Sequence, residues 1–361
     1  MSGRVGIEGL RDDLRRQRAV VAERAPSYDR ILEALLALLD TDAALEERLA
    51  NALRGRSFFA HYDRPLLILA ALRLDAILDG PAHPLYPAIA APVADASAVT
   101  TEAVAAATTP DRSRFFETIA TRYVQTNETG RAVAWLWPAA LAGCSEGKRP
   151  LALVDIGASA GLNLVADALP AKWTDESGNR LPTVHDARIV ARLGLDARPL
   201  DASRPEDAAW LRACIWPGDT ARLERLEAAL DAWHATPARM EALDISDTPA
   251  RIATLLNELP PDTLLLAYQT VVREYLPPDL YETYRAAMHR LIAATPAVRL
   301  AWLELETAPP PATPERPAAL TAHVRGPDGT EVLELARSHW HPSVLTTNAD
   351  AVTRFVRLLA P

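Results

Sequence analysis

Leu151 to Leu169, LALVDIGASAGLNLVADAL, constrains the fold of this chain more than any other stretch. The apolar run Leu151 to Ile156 is short enough for a strand buried on both faces. Gly157-Ala158-Ser159-Ala160-Gly161 follows, a turn whose side chains are absent or small. Leu162, Leu164, Val165 and Leu169 then recur at helical spacing, which predicts a helix packing back on a sheet. Glycine turns readily at positive φ and lets a ligand approach without meeting a Cβ. The start of such a helix carries unpaired N–H groups and partial positive charge, suited to an anion or carboxylate. Strand, small-residue turn and helix together predict a ligand cradle.

Known turn motifs divide on the letters. A dinucleotide fingerprint, G-x-G-x-x-G, fails at Ser159 and again at Leu162. A phosphate loop, G-x-x-x-x-G-K-[ST], lacks both its spacing and its lysine. G-x-S-x-G, the nucleophile elbow, matches literally with Ser159 at its centre. A hydrolase would also need strands ahead of the elbow, an oxyanion loop, and an acid and a histidine downstream. The first 150 residues offer no alternating strand pattern and no H-G-G-G. Asp244 with His289, His323, His339 or His341 keeps a triad open as an alternative.

The 361 residues are 49% hydrophobic, enough for a sizeable core in one large or two ordinary domains. A formal charge of −9 gives no footprint for nucleic acid. There is no charged-then-apolar leader and no apolar run of about 18 residues, so a cytoplasmic protein outside the membrane is expected. Cys144 and Cys214 form neither a disulfide framework nor a metal spacing, and no metal is expected. His339 and His341 around Trp340 likewise have no zinc spacing. Trp210, Trp216 and Trp233 read as core.

Residues 1–148 read as a helical N-terminal cap. Tyr28 to Leu36 opens one amphipathic run and Pro65 to Leu78 offers another. Gly80 to Val93 reads as a loop in which His83 and Tyr86 line a cleft or pack. A helix from about Arg112 to the Trp135 region carries Thr126-Asn127-Glu128-Thr129-Gly130-Arg131, whose local reading is a surface Glu128–Arg131 pair. Residues 149–361 read as an α/β domain with an insertion at about 170–236. Within it Pro170 to Pro199 is irregular, with Arg192 to Asp196 as a strand end. Pro205 to Ala235 is helical and broken at Trp216-Pro217-Gly218. Strands are expected at Ala238 to Leu243, Thr263 to Tyr268 and Val298 to Glu304, with helices at Thr248 to Leu259 and Leu280 to Ala294. Gly326-Pro327-Asp328-Gly329 marks a hairpin, and a final helix starts at Asn348. Alternating strands and helices predict a doubly wound, Rossmann-like parallel sheet ending in an antiparallel hairpin.

Four pieces, TNETGR at 126–131, VDIGASAGLNL at 154–164, RLGLDARPLD at 192–201 and WLRACIWP at 210–217, resemble a bacterial family of unknown function on the class I methyltransferase fold. The class I pattern is acidic-x-G-x-G-x-G, and Asp155, Gly157, Ser159 and Gly161 stand at its four positions, serine replacing the middle glycine. The resemblance implies S-adenosylmethionine as cofactor, its methionine part held by Asp155, Gly157, Ala158, Ser159 and Gly161, with Asn163 beside them. It implies an acid for the ribose, either Asp175 or Asp196, and Asp244 with Ile245 facing the adenine. Tyr268 and Gln269 fall where such enzymes keep catalytic and substrate groups, because open α/β sheets bind ligands at the carboxyl ends of their strands.

The expected function is methyl transfer to a small-molecule acceptor, with placement of the acceptor carrying most of the work. Glu128 or Glu304 is the candidate base, and Asn127, Arg131 and Glu304 are the candidate substrate contacts. A methyltransferase fold with repurposed chemistry such as cyclisation, or a ligand-binding partner subunit in an oligomer, is the alternative.

Overall fold

The computed structural model describes residues 4–125, 127–170 and 172–360. The chain forms two compact units, Met1–Thr126 with Arg204–Leu226 and Asn127–Ser203 with Glu227–Pro361. The first is helical, built on Leu10–Val21, Pro26–Thr41, Ala43–Ala52, Asp63–Asp79, Ser113–Thr121 and Pro205–Ala213. Its only strands among the described residues are β1 (Arg4–Val5) and β2 (Ser57–Phe58), an antiparallel pair of two residues each. Asp42 and Thr100 cap helices by accepting from Leu45 N and Ala103 N at 2.9 and 3.1 Å. His83 packs: it is buried, Nδ1 accepts from Leu85 N at 3.1 Å and Nε2 lies 3.3 Å from Asp75.

The second unit is mixed α/β around a nine-stranded, mostly parallel sheet. Its strands are β3 (Leu151–Ile156), β4 (Thr174–Asp175), β5 (Ile189–Asp196), β6 (Arg239–Ala242), β7 (Leu264–Thr270), β8 (Leu300–Thr307), β9 (Ala318–Gly326), β10 (Gly329–Ser338) and β11 (Val344–Thr347). They lie in the order β4-β11-β10-β9-β8-β7-β3-β5-β6. The five from β6 to β8 are parallel, and β9 and β10 form the antiparallel hairpin. β3 is buried along its whole length, as a central parallel strand must be. On one face Leu151, Leu153, Leu264, Leu266 and Tyr268 pack with Trp135 and Phe355. On the other, Val154, Ile156, Leu265 and Ala267 pack with Ile252, Met288 and Ile292 from the helices Thr248–Glu258 and Pro278–Ala294. No helix among the described residues is long and apolar enough to cross a membrane.

Several expectations change. The compact unit that contains the sheet runs from Asn127, and Arg204–Leu226 clusters with the N-terminal helices. The helix near Arg112 stops at Thr121; TNETGR lies beyond it, with Thr129–Ala132 a short 3-10 turn and Thr126 outside the described residues. Thr174–Asp175, expected to be irregular, adds a parallel edge strand beside β11. The segment after the glycine turn, Leu162–Ala168, is a 3-10 helix and not an α-helix. Its carbonyls also serve tertiary donors: Trp135 Nε1 donates to Asn163 O at 2.8 Å and Arg192 donates to Leu164 O.

Candidate ligand site at the carboxyl end of the sheet

Counting the five parallel strands in chain order gives 3-2-1-4-5 across the sheet, so the order reverses between β3 and β7. Helices leave such a sheet in opposite directions there, opening a crevice at the strand ends. The glycine turn lies at that crevice. Gly157, Ser159 and Gly161 have φ of 73°, 55° and 72°, and the backbone at Gly157 is exposed. For a residue with a Cβ, the value at Ser159 is uncommon.

The N–H groups of the turn are all engaged. Gly157 N and Ala158 N donate to Leu195 O at 2.8 and 3.1 Å, and Gly161 N donates to Ala158 O at 2.7 Å. Ser159 N donates to Asp196 Oδ2 at 2.8 Å and Ala160 N to Asn127 Oδ1 at 3.4 Å. The N–H groups of residues 157–161 are thus satisfied by the protein, and a seven-residue 3-10 helix supplies little dipole for an anion.

Side chains fill the space that the glycines leave. A Cβ on Gly157 would lie 2.5 Å from Val272 Cγ2. One on Gly161 would meet Met240 Sδ at 2.7 Å and Trp233 Cζ3 at 2.9 Å, and one on Gly194 would meet Met240 Sδ at 2.3 Å. Val272, Met240 and Trp233 thus wall the turn, a role that the sequence does not mark.

Carboxylates dominate what remains. Asp155 is buried, its Oδ2 makes no hydrogen bond, and burial pushes its carboxyl well above the usual carboxylate range. The neighbouring Tyr268 hydroxyl opposes that rise without being aligned for a hydrogen bond, and Tyr268 is itself pushed up by burial and then by Asp155. Asn163 Oδ1 is a further buried acceptor with no hydrogen bond. Asp196, half-buried at the end of β5, accepts from Ser159 N and, at 2.7 Å, from Arg198 N, and each oxygen keeps acceptor capacity. Asp175 stands at the opposite edge of the sheet, in β4, its carboxylate closing its own turn onto Ser177 N and Asn179 N at 2.9 and 2.8 Å. Of the two ribose candidates only Asp196 adjoins the glycine turn. Asp244 is exposed beyond β6, accepting from Ser246 N at 3.0 Å, with half-buried Ile245 next to it.

TNETGR divides its work. Asn127 Nδ2 donates to Ser159 Oγ at 2.7 Å, clasping the turn. Glu128 and Arg131 are buried, not surface residues. Glu128 Oε1 accepts from Gly130 N at 2.9 Å and Oε2 lies 3.4 Å from His341 Nδ1, while Arg131 Nε donates to Trp340 O at 3.1 Å. Both therefore dock the link between β10 and β11, which brings His341 beside the site.

A separate polar cluster lies on the face of β7 and β8 covered by helix Pro278–Ala294. Glu304 accepts from Tyr281 Oη and pairs with His323 Nε2, both at 2.6 Å, and His323 Nδ1 faces His289 Nε2 at 2.9 Å. Burial, then His323, lowers the half-buried His289, while burial and Glu304 raise Tyr281. Gln269, fully buried, donates to Glu306 Oε1 and accepts from Tyr284 Oη, each at 2.9 Å. Glu304 thus has a partner on each oxygen, and His289 reaches it only through His323. Among the described residues no group of His, Cys, Asp and Glu could hold a metal ion.

A family model, DUF2332, described as an uncharacterised protein conserved in bacteria, matches residues 11–346. No curated protein matches the chain.

Proposed function

For a chain that belongs to this family of uncharacterised bacterial proteins, we propose S-adenosylmethionine-dependent methyl transfer to a small-molecule acceptor. One observation carries the reading: the turn at the strand-order reversal, open to solvent at Gly157, has its N–H groups taken, yet carboxylates stand under it and beside it. A pyrophosphate would find no donors and two acids there. The sulfonium and ammonium of S-adenosylmethionine, both cationic, suit these acids, while its carboxylate would take its donors from outside the turn. The 3-2-1-4-5 strand order supports the same class of nucleoside-binding sheet.

The residues present fit such a cofactor. Asp155, Gly157, Ala158, Ser159, Gly161 and Asn163 would hold its methionine part, Asp196 its ribose, and Asp244 with Ile245 its adenine. Bound there, it supplies an electrophilic methyl group on a cationic sulfur. Asn127 fixes the turn, and Arg131 fastens the β10–β11 link. Glu128, with His341 at 3.4 Å, would take a proton from an acceptor hydroxyl or amine. The buried tyrosine of β7, Tyr268, neighbours Asp155 and favours its charged form.

Calorimetry of the full chain with S-adenosylmethionine, NAD and ATP tests this. Binding of the first alone is expected. Because Asp155 is held above its ordinary pKa, a cation arriving beside it should release about one proton, and affinity should rise with pH. Titrations in buffers of different ionisation enthalpy read that proton. No heat with S-adenosylmethionine at millimolar concentration would end the reading.

A hydrolase is the second reading, favoured by the positive φ of Ser159 in G-A-S-A-G. Against it, Ser159 Oγ accepts from the Asn127 amide, which cannot take up its proton, and His323 and His289 serve Glu304. We expect no labelling of Ser159 by a fluorophosphonate probe. Labelling that disappears in Ser159→Ala would promote this reading over methyl transfer.

A further inference from the structure

β7 does not run straight into the helix that follows it. Val271, a β-branched residue, sits at φ 57°, a conformation such residues rarely adopt. What holds it there is the end of β8. Leu305 O accepts from Val271 N at 3.0 Å, and Glu306, buried, accepts from Val272 N at 2.9 Å and Arg273 N at 3.3 Å. Gln269 Nε2 donates to the same carboxylate at 2.9 Å. Arg273 then lies over the Tyr281 ring, 4.9 Å from its centroid. The result is that Val272 Cγ2 stands 2.5 Å from where a Cβ of Gly157 would be.

We propose that Glu306 is a positioning residue of the site at the glycine turn: it holds Val272 over Gly157 and so sets the room a ligand has there. The inference rests on the turn being the ligand site. The groups facing Glu306 are Gln269 on β7, the Val272 and Arg273 N–H groups, Glu304 on its own strand, and Tyr281 and Tyr284 on the covering helix.

Burial pushes the Glu306 carboxyl up to about 7, against the N–H groups and Gln269 that favour its charge, with Glu304 adding to the rise. An opened loop would let water reach Glu306 and return it toward its ordinary value of 4.5. The closed arrangement therefore binds the proton more tightly. It is fully favoured below the ordinary value and loses ground as pH rises through about 7. Val272 covers the turn in acid and yields at higher pH.

Hydrogen exchange of the Val272 and Arg273 amides, divided by intrinsic rates, reads this without any ligand. On the wild-type chain their protection should fall about tenfold or more between pH 5.5 and pH 8, the size that linkage to one such carboxyl gives. Glu306→Gln should hold acid-like protection at both pH values and weaken S-adenosylmethionine binding at pH 8. Val272→Ala, which leaves Glu306 in place, should keep the protection and change the affinity. Wild-type protection that ignores pH, or Glu306→Gln with wild-type exchange, overturns the inference whatever the ligand does. If wild type exchanges as expected but binds no S-adenosylmethionine, the methyl-transfer reading falls and the hold of Glu306 on the loop stands.

Discussion

Asp155→Asn should make the folded chain more stable at pH 8, by about 2 kcal/mol or more, while weakening ligand binding. Asp155 is buried with Oδ2 unbonded, and burial raises its carboxyl well above the usual range. A group whose folded pKa is raised contributes stability that is complete below its unfolded value and disappears as pH rises through the folded one. At pH 8 the protein must either keep a proton on Asp155 against the solution or bury a charge. Leaving a buried polar group unmatched costs about 1–3 kcal/mol, and a charged one more. Asparagine has the same shape, carries no charge, and presents an N–H₂ group to the Tyr268 hydroxyl. Chemical denaturation of both proteins at pH 4 and pH 8 is the measurement. The difference should be small at pH 4 and large at pH 8. A mutant less stable at both values would mean that Asp155 holds the fold together and not a ligand. The trade is one that functional residues make often, stability given up for a poised group.

How far the letters reach is visible in particular elements. β3, β7 and β8 are apolar runs because a central parallel strand is buried on both faces, so their composition announces them. β5 is harder, since Arg192 interrupts it. That arginine is tolerated because it pairs with Asp167 at 2.6 Å and reaches the Leu164 carbonyl, neither of which is local. β4 has two residues and exists only through its pairing with β11. The helical pattern after the turn is legible, but its 3-10 character and its anchoring to Trp135 and Arg192 are not. Asn127 could be singled out by residue type, yet its partner, the Ser159 hydroxyl, lies 32 positions away. Glu306 reads like any acid near the end of a strand. Its importance comes from a loop 34 positions earlier, where Val272 N points at it. The grouping of Arg204–Leu226 with the N-terminal helices has no local signal at all.

Gly161→Ala should be a strongly damaging small change in the turn, costing about 2–5 kcal/mol. Two terms combine. At φ 72° an alanine Cβ crowds its own backbone, on the order of 1–2 kcal/mol for the left-handed conformation. The added carbon would also lie 2.9 Å from Trp233 Cζ3 and 2.7 Å from Met240 Sδ, and overpacking of this kind costs about 1–3 kcal/mol. Met240 has little room to yield, because its sulfur already occupies the space where Gly194 lacks a Cβ, 2.3 Å from that position. Gly194→Ala separates the terms, since Gly194 has no positive φ and its nearest obstacles would be the Met240 end and Ala158 Cβ at 3.1 Å. Adding Met240→Ala to each mutant completes the test. It should recover most of the loss in Gly194→Ala and leave the backbone cost and the Trp233 contact in Gly161→Ala, a difference a double-mutant cycle resolves. Equal recovery in both would show that packing alone demands these glycines. Recovery in neither would place the constraint in the turn's own conformation.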